Sequence, residues 1–254
     1  MTLYIIETVL FMIAAIGALL IGFEMLSNSI TMIFHTQLKK LFNKTSNSPI
    51  IGVLIGAAAT AIIQSSGATT IIVVGFVNTG IMNLFQATAM IMGANIGTTI
   101  TAQIASLSGG TGFDFGALAL GLTGIGALIT MFTKNEKVKS MGNLLAGLGL
   151  LFLGLECMSI AIGRTYEGAP VIKDAIKSIL SHPFVSEGIF APFILFILGI
   201  VLTGITQSSS LITSIVITFV ANGIYIGAGA DATSLNNNVL FLILGSNIGS
   251  CVTA

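Results

Sequence analysis

Two apolar runs in this chain stop short at nearly the same polar sequence. From Ile50 to Ile63 there are 14 residues without a charge, roughly 21 Å of helix, before Gln64-Ser65-Ser66-Gly67 interrupts and apolar residues resume at Ala68. A bilayer core takes about 20 residues to cross, so the run is too short to span and too apolar to face water. It predicts a re-entrant hairpin: a half-helix to mid-membrane, a polar tip, and a second half-helix over about Thr69 to Val77. Irregular backbone is tolerated at that depth only where protein or a wet cavity covers it.

The interruption belongs to a duplication. Thr60-Ala-Ile-Ile-Gln64-Ser-Ser-Gly67 returns as Thr203-Gly-Ile-Thr-Gln207-Ser-Ser-Ser210, and Phe76-Val-Asn-Thr-Gly80 as Phe219-Val-Ala-Asn-Gly223. Gly93-Ala-Asn-Ile-Gly-Thr-Thr-Ile-Thr-Ala102 returns as Gly245-Ser-Asn-Ile-Gly-Ser-Cys-Val-Thr-Ala254, and Gly22-Phe-Glu24-Met-Leu-Ser27 as Gly154-Leu-Glu156-Cys-Met-Ser159. Four blocks in one order divide the chain into a first repeat over 1–133, a cytoplasmic linker over 134–140 and a second repeat over 141–254. Leu3 to Phe34, Phe115 to Phe132 and Met141 to Ile162 read as uninterrupted spans. Phe85 to Leu107 reads as a spanning helix broken at Gly93, Asn95 and Gly97, with Gly245, Asn247 and Gly249 as the matching breaks.

Charge sets orientation. Six of the nine basic residues sit in two short loops, Lys39, Lys40 and Lys44 in one and Lys134, Lys137 and Lys139 in the other. The positive-inside rule makes both loops cytoplasmic, which turns the second repeat upside down relative to the first. The Gly163 to Glu187 loop is then extracellular or periplasmic. The predicted fold is an all-α polytopic membrane protein with inverted-topology repeats, re-entrant helical hairpins and broken transmembrane helices.

Composition removes other classes. Only 7% of residues are charged, against 54% hydrophobic, whereas a soluble domain carries about a quarter charged residues. Nine basic residues at zero net charge leave no footprint for nucleic acid. Cys157 and Cys251 stand in apolar context as packing residues. A serine hydrolase on Ser66 or Ser209 needs a base within reach, and His35 and His182 both fall in predicted loops, so the chain reads as no enzyme.

The polar tips carry the chemistry. Freed half-helix N-termini offer N–H donors to an anion, and freed carbonyls and side-chain oxygens take a cation, the arrangement of many secondary transporters. Gln64, Ser65, Ser66, Thr69, Asn95, Thr98 and Thr101 crowd the first set of breaks, and Gln207, Ser208, Ser209, Ser210, Asn247, Ser250 and Thr253 the second. These hard oxygens suit Na⁺. Ser246, Ser250 and Thr253 are spaced to stack on one helical face, where the first repeat has Ala94, Thr98 and Thr101. The better Na⁺ site is therefore expected in the second repeat, with Gln207 and Ser208 facing that stripe. No Lys or Arg lies in a predicted span, so a multivalent anion must be balanced by dipoles and co-bound cations. Glu24 and Glu156 hold matched places, read either as tuning ion access or as interfacial pairing.

On these motifs the chain resembles the type II sodium-phosphate cotransporter family in its bacterial branch, which carries a Gln-Ser-Ser-Ser motif in each inverted repeat, followed by a Gly-x-Asn-Ile-Gly-Thr-Thr block. The second repeat has Gln207-Ser208-Ser209-Ser210 intact, and the first departs at Gly67, one hydroxyl fewer. The resemblance implies alternating-access symport of inorganic phosphate with Na⁺ across the bacterial plasma membrane. It implies phosphate at Gln64, Ser65, Ser66, Gln207, Ser208, Ser209 and Ser210, and Na⁺ at Gln207, Ser208, Ser246, Ser250, Thr253, Gln64, Thr98 and Thr101. Na⁺ is the coupling ion, and no other cofactor is implied. A channel or a transporter of another small anion is the alternative. The second repeat stops before a last span, so the chain is expected to be a fragment, a truncated gene or a reduced member that completes its fold as a homo-oligomer.

Overall fold

A computed structural model describes residues 2–42, 48–107, 115–165, 171–180, 190–226 and 238–253, and every regular element among them is helical. The order is α1 (Thr2–Phe42), α2 (Pro49–Ile63), α3 (Ser66–Asn78), α4 (Leu84–Gly97), α5 (Thr99–Leu107), α6 (Phe115–Phe132), α7 (Glu136–Gly163), α8 (Val171–Leu180), α9 (Ala191–Thr206), α10 (Ser209–Ala221) and α11 (Val239–Gly249), followed by a 3₁₀ turn over Ser250–Thr253. Helices α1 and α7 are long and apolar enough to cross a bilayer, over Leu3–Phe34 and Glu136–Gly163. The expected third span, α6, has 18 residues, about 27 Å, a little short of that length.

Local chemistry starts and stops these helices. Pro49 occupies the first turn of α2, where its missing N–H has no intrahelical partner to lose. Asn83 and Gln86 form a reciprocal capping box on α4, with bonds of 2.9 and 3.0 Å. The Asn135 carboxamide accepts from the Lys137 N–H at 3.0 Å, so α7 begins at Glu136 and takes in Lys137 and Lys139, residues of the expected 134–140 linker. Lys39 and Lys40 likewise belong to α1, which continues to Phe42. The loop predicted from Gly163 to Glu187 contains α8.

The chain divides into two compact units that do not follow the boundary between repeats. One holds Ile21–Ile104, Leu118–Leu150 and Thr253–Ala254, the other Met1–Leu20, Ala105–Ala117 and Leu151–Val252. In the first, Ile55, Ile63, Val73 and Met90 form a core between α2, α3 and α4. Phe42 closes it, its ring edge-on to Phe76 at 5.6 Å between centroids. In the second, Leu195, Ile212, Val216, Val239 and Leu242 play the same part for α9, α10 and α11. There, Arg164 at the end of α7 binds Glu7 at 3.3 Å and lies 5.0 Å from the centre of the Phe11 ring.

Small residues permit the closest approaches. A Cβ added to Gly93 of α4 would lie 2.0 Å from the Val53 carbonyl oxygen, and one on Gly56 of α2 would lie 2.0 Å from that of Met90. The second unit repeats the device: Gly245 of α11 against the Phe196 oxygen at 2.0 Å, Gly199 of α9 against that of Leu242 at 2.2 Å. Gly93-xxx-Gly97 and Gly245-xxx-Gly249 are thus packing faces of the small-xxx-small kind used between membrane helices. Outward, the same helices present bare hydrocarbon: Leu54 is 63% exposed and Ile205 76%. Contiguous apolar surface without charges is costly in water and ordinary in lipid, and the protein is a membrane protein.

Candidate functional site

Each unit contains a helix that stops and restarts within two residues, and the two stops match in detail. Helix α2 ends on Gln64 at φ 58°, ψ 19°, and α9 ends on Gln207 at φ 54°, ψ 22°; these are the only non-glycine residues with positive φ among those described. Left-handed backbone at a helix C-terminus usually falls to glycine, because a Cβ there clashes with the following carbonyl at a cost of about 1–2 kcal/mol. Two glutamines accepting that cost at equivalent places make these turns candidate functional positions.

The next residue reverses direction. Ser65 is extended, at φ −142°, ψ 109°, and its hydroxyl accepts the Ala68 N–H at 3.2 Å; Ser208, at φ −140°, ψ 97°, accepts the Leu211 N–H at 3.2 Å. Both serines are helix caps. Beyond each cap, the N–H groups of Ser66 and Gly67, or of Ser209 and Ser210, are among those an α-helix leaves without an intrahelical acceptor. The hydroxyls of Ser66, Ser209 and Ser210 make no hydrogen bond among the described residues, although all three side chains are buried. The arrangement offers backbone and side-chain donors in an apolar setting, and α2, α3, α4, α9, α10 and α11 contain no charged residue.

The hydroxyls behind the tips are wired differently. In the first unit, Thr60 donates to Thr69 at 3.0 Å, Thr69 donates to the Ser65 carbonyl at 3.0 Å, and Thr101 of α5 donates to the Gln64 carboxamide oxygen. The Gln64 amide also donates to the Ala61 carbonyl, so part of its bonding capacity is already used. In the second unit, Ile212 stands where Thr69 would, and the Thr203 hydroxyl is fully buried with no partner among the described residues; that of Ser214 is in the same state. Gln207 is exposed and makes no side-chain hydrogen bond among the described residues. Sequence reasoning missed Thr60 and Thr203 as parts of the tips. Their signal is a hydroxyl one turn before each glutamine.

The remaining predicted residues fall as follows. Thr98 interrupts between α4 and α5, where the Thr101 N–H reaches back three residues to the Thr98 carbonyl at 3.3 Å. The break expected at Gly93, Asn95 and Gly97 therefore lies one residue later: α4 runs continuously through Gly93 and Asn95, because those glycines admit neighbouring backbone and do not loosen their own. The same holds for Gly245 and Asn247 in α11, which ends at Gly249 and tightens to 3₁₀ geometry. Ser246 and Ser250, both buried, return their hydroxyls to the carbonyls of Ile243 and Asn247, at 2.8 and 2.6 Å. The Thr253 side chain and His182 lie outside the described residues. Of the matched acids, Glu24 is exposed and Glu156 partly buried.

Two charge-free helix breaks, each a strained glutamine followed by a serine-capped helix start, define a membrane protein of duplicated, hydroxyl-rich breaks. Residues 18–160 match the family described as Na⁺/Pi-cotransporter, and the chain belongs to that family. The matched span ends before α9. The chain is similar to the uncharacterized protein YqeW of Bacillus subtilis, at 29% identity across 92% of this chain and 68% of that protein. It is similar to YjbB of Escherichia coli, named for inorganic phosphate export, at 28% identity across 61% of this chain and 27% of that protein. The human sodium-dependent phosphate transport protein 2B matches at 35% identity across 33% of this chain and 12% of that protein. No solved structure matches.

Proposed function

We propose that the chain moves inorganic phosphate across the bacterial plasma membrane coupled to Na⁺, by alternating access. The observation that carries this is the recurrence of a strained glutamine followed by a serine-capped helix start in both copies of a chain from this family. In this reading the hairpins are re-entrant and the repeats inverted in topology. Phosphate is held at Gln64, Ser65, Ser66, Gln207, Ser208, Ser209 and Ser210. The backbone donors at the starts of α3 and α10 supply what a basic side chain supplies elsewhere.

Na⁺ fits the same reading for an electrostatic reason. An anion in a site without Lys or Arg is desolvated alone unless a cation enters with it. The oxygens of Gln64, Thr98 and Thr101, and of Gln207, Ser208, Ser246, Ser250 and Thr253, are the proposed ligands. Uptake of labelled phosphate into proteoliposomes tests the proposal. It is expected to require an inward Na⁺ gradient, and equal uptake with choline in place of Na⁺ overturns it. The same vesicles loaded with phosphate report export, the direction in the Escherichia coli relative's name.

A further inference from the structure

We infer that Glu156, Ser159 and Asn222 form a separate site for a small hard monovalent cation, Na⁺ in its size and chemistry, at the opposite end of α10 from its serine-capped start. Helix α10 has 13 residues, so about 20 Å separates this site from the Gln207 turn. The inference goes beyond the tip ligands and rests on the sodium-coupled reading only for its role in transport.

Two sources of negative charge converge there. Glu156 is a partly buried carboxylate in the bilayer-crossing helix α7, and it makes no hydrogen bond or ion pair among the described residues. A lone carboxylate in such a helix is costly and calls for a partner. Facing it is the C-terminal end of α10, capped by Asn222, which carries roughly half a negative charge. Both would be relieved by one cation and by no anion.

The cavity between them fits that occupant. It holds about 40 Å³ and is lined by Glu156, Ser159, Thr218 and Asn222 against Leu155 and Ile217. That is room for an ion or a water and too little for phosphate. The Asn222 amide donates to Ser159 Oγ at 3.1 Å and to the Thr218 carbonyl at 2.8 Å, and its oxygen accepts weakly from the Ser159 hydroxyl at 3.3 Å, a bond a cation would replace. Its oxygen, the Ser159 hydroxyl and the carboxylate are hard ligands of the kind Na⁺ takes. The first repeat lacks the arrangement: Glu24 is exposed, Ser27 donates instead to the Ile63 carbonyl at 2.6 Å, and exposed Thr79 replaces Asn222. Among the described residues, Lys173 Nζ approaches the region, 3.8 Å from where a Gly223 Cβ would stand, and forms no ion pair with Glu156.

The test uses the purified full chain, with radiolabelled Na⁺ binding and thermal melting in NaCl against choline chloride. Glu156→Gln is expected to raise the Na⁺ concentration for half-maximal stabilisation at least threefold and to lower bound Na⁺. Ser159→Ala should give a smaller rise in the same direction, and it carries the test if Glu156→Gln does not fold. Glu156→Asp should recover part of the binding. Wild-type Na⁺ binding and stabilisation in both Glu156→Gln and Ser159→Ala overturn the inference. If wild-type uptake ignores Na⁺ while Glu156-dependent Na⁺ binding persists, the transport reading falls and this site stands.

Discussion

The two hairpin tips share a backbone and differ in what their hydroxyls are doing. Around Gln64 the threonine hydroxyls are satisfied locally, Thr60 donating to Thr69, Thr69 to the Ser65 carbonyl and Thr101 to the Gln64 carboxamide. Around Gln207 they are not: among the described residues, Thr203 and Ser214 are buried without partners and the Gln207 side chain makes no hydrogen bond. An unsatisfied buried hydroxyl costs about 1–3 kcal/mol. The first tip has therefore satisfied its threonine hydroxyls locally, and the second leaves those of Thr203 and Ser214 unsatisfied among the described residues. Duplication preserved the strained turn, and single exchanges such as Thr69 for Ile212 and Gly67 for Ser210 redistributed the hydroxyls.

The largest effect should come from the feature the copies share most closely. Gly93→Ala and Gly245→Ala each drive a methyl into a carbonyl oxygen, so the paired helices must separate, at about 1–3 kcal/mol. Equal falls in Tm in detergent are expected, and a much smaller fall in one would show that its helix pair is the looser. Removing a cap comes next: Ser65→Ala and Ser208→Ala should each cost about 1 kcal/mol, measured by chemical denaturation. The copies should then part in sign. Thr60→Val breaks a hydrogen bond and should destabilise by about 1 kcal/mol, whereas Thr203→Val removes an unpaired hydroxyl and should stabilise by a similar amount. Same-sign shifts in the two melting curves would end the contrast between the tips. The smallest net change is expected at the strained turns. Gln207→Gly should gain about 1 kcal/mol from relief of left-handed strain, while in Gln64→Gly the lost Thr101 bond offsets the gain. Phosphate uptake should fall at least tenfold in both, and retained uptake would remove the glutamines from the site.

Much of this architecture could be read in advance because apolar periodicity and turn chemistry are local. The helix expected over Ile50 to Ile63 begins one residue earlier, at Pro49, and that over Phe115 to Phe132 has the expected ends. The glycines misled for a physical reason: an interior glycine weakens its own helix and also admits a neighbour, and only knowing that the Val53 carbonyl lies against Gly93 decides which use applies. Helix α8 lies inside the expected Gly163 to Glu187 loop: six charges break up that segment's apolar pattern, although Val171, Ile172, Ala175, Ile176 and Ile179 recur at helical spacing.

Membrane character, the duplication and the two polar interruptions were determined by the sequence alone, since they depend on which residues water will accept and where a helix must stop. Tertiary structure decided which hydroxyls are used up and which remain free. It placed Thr101 on Gln64, left Thr203 alone, and set Glu156 against the end of α10. Hydrogen bonding between segments far apart in the chain depends on distances of a few ångströms, and no local pattern of residues contains them.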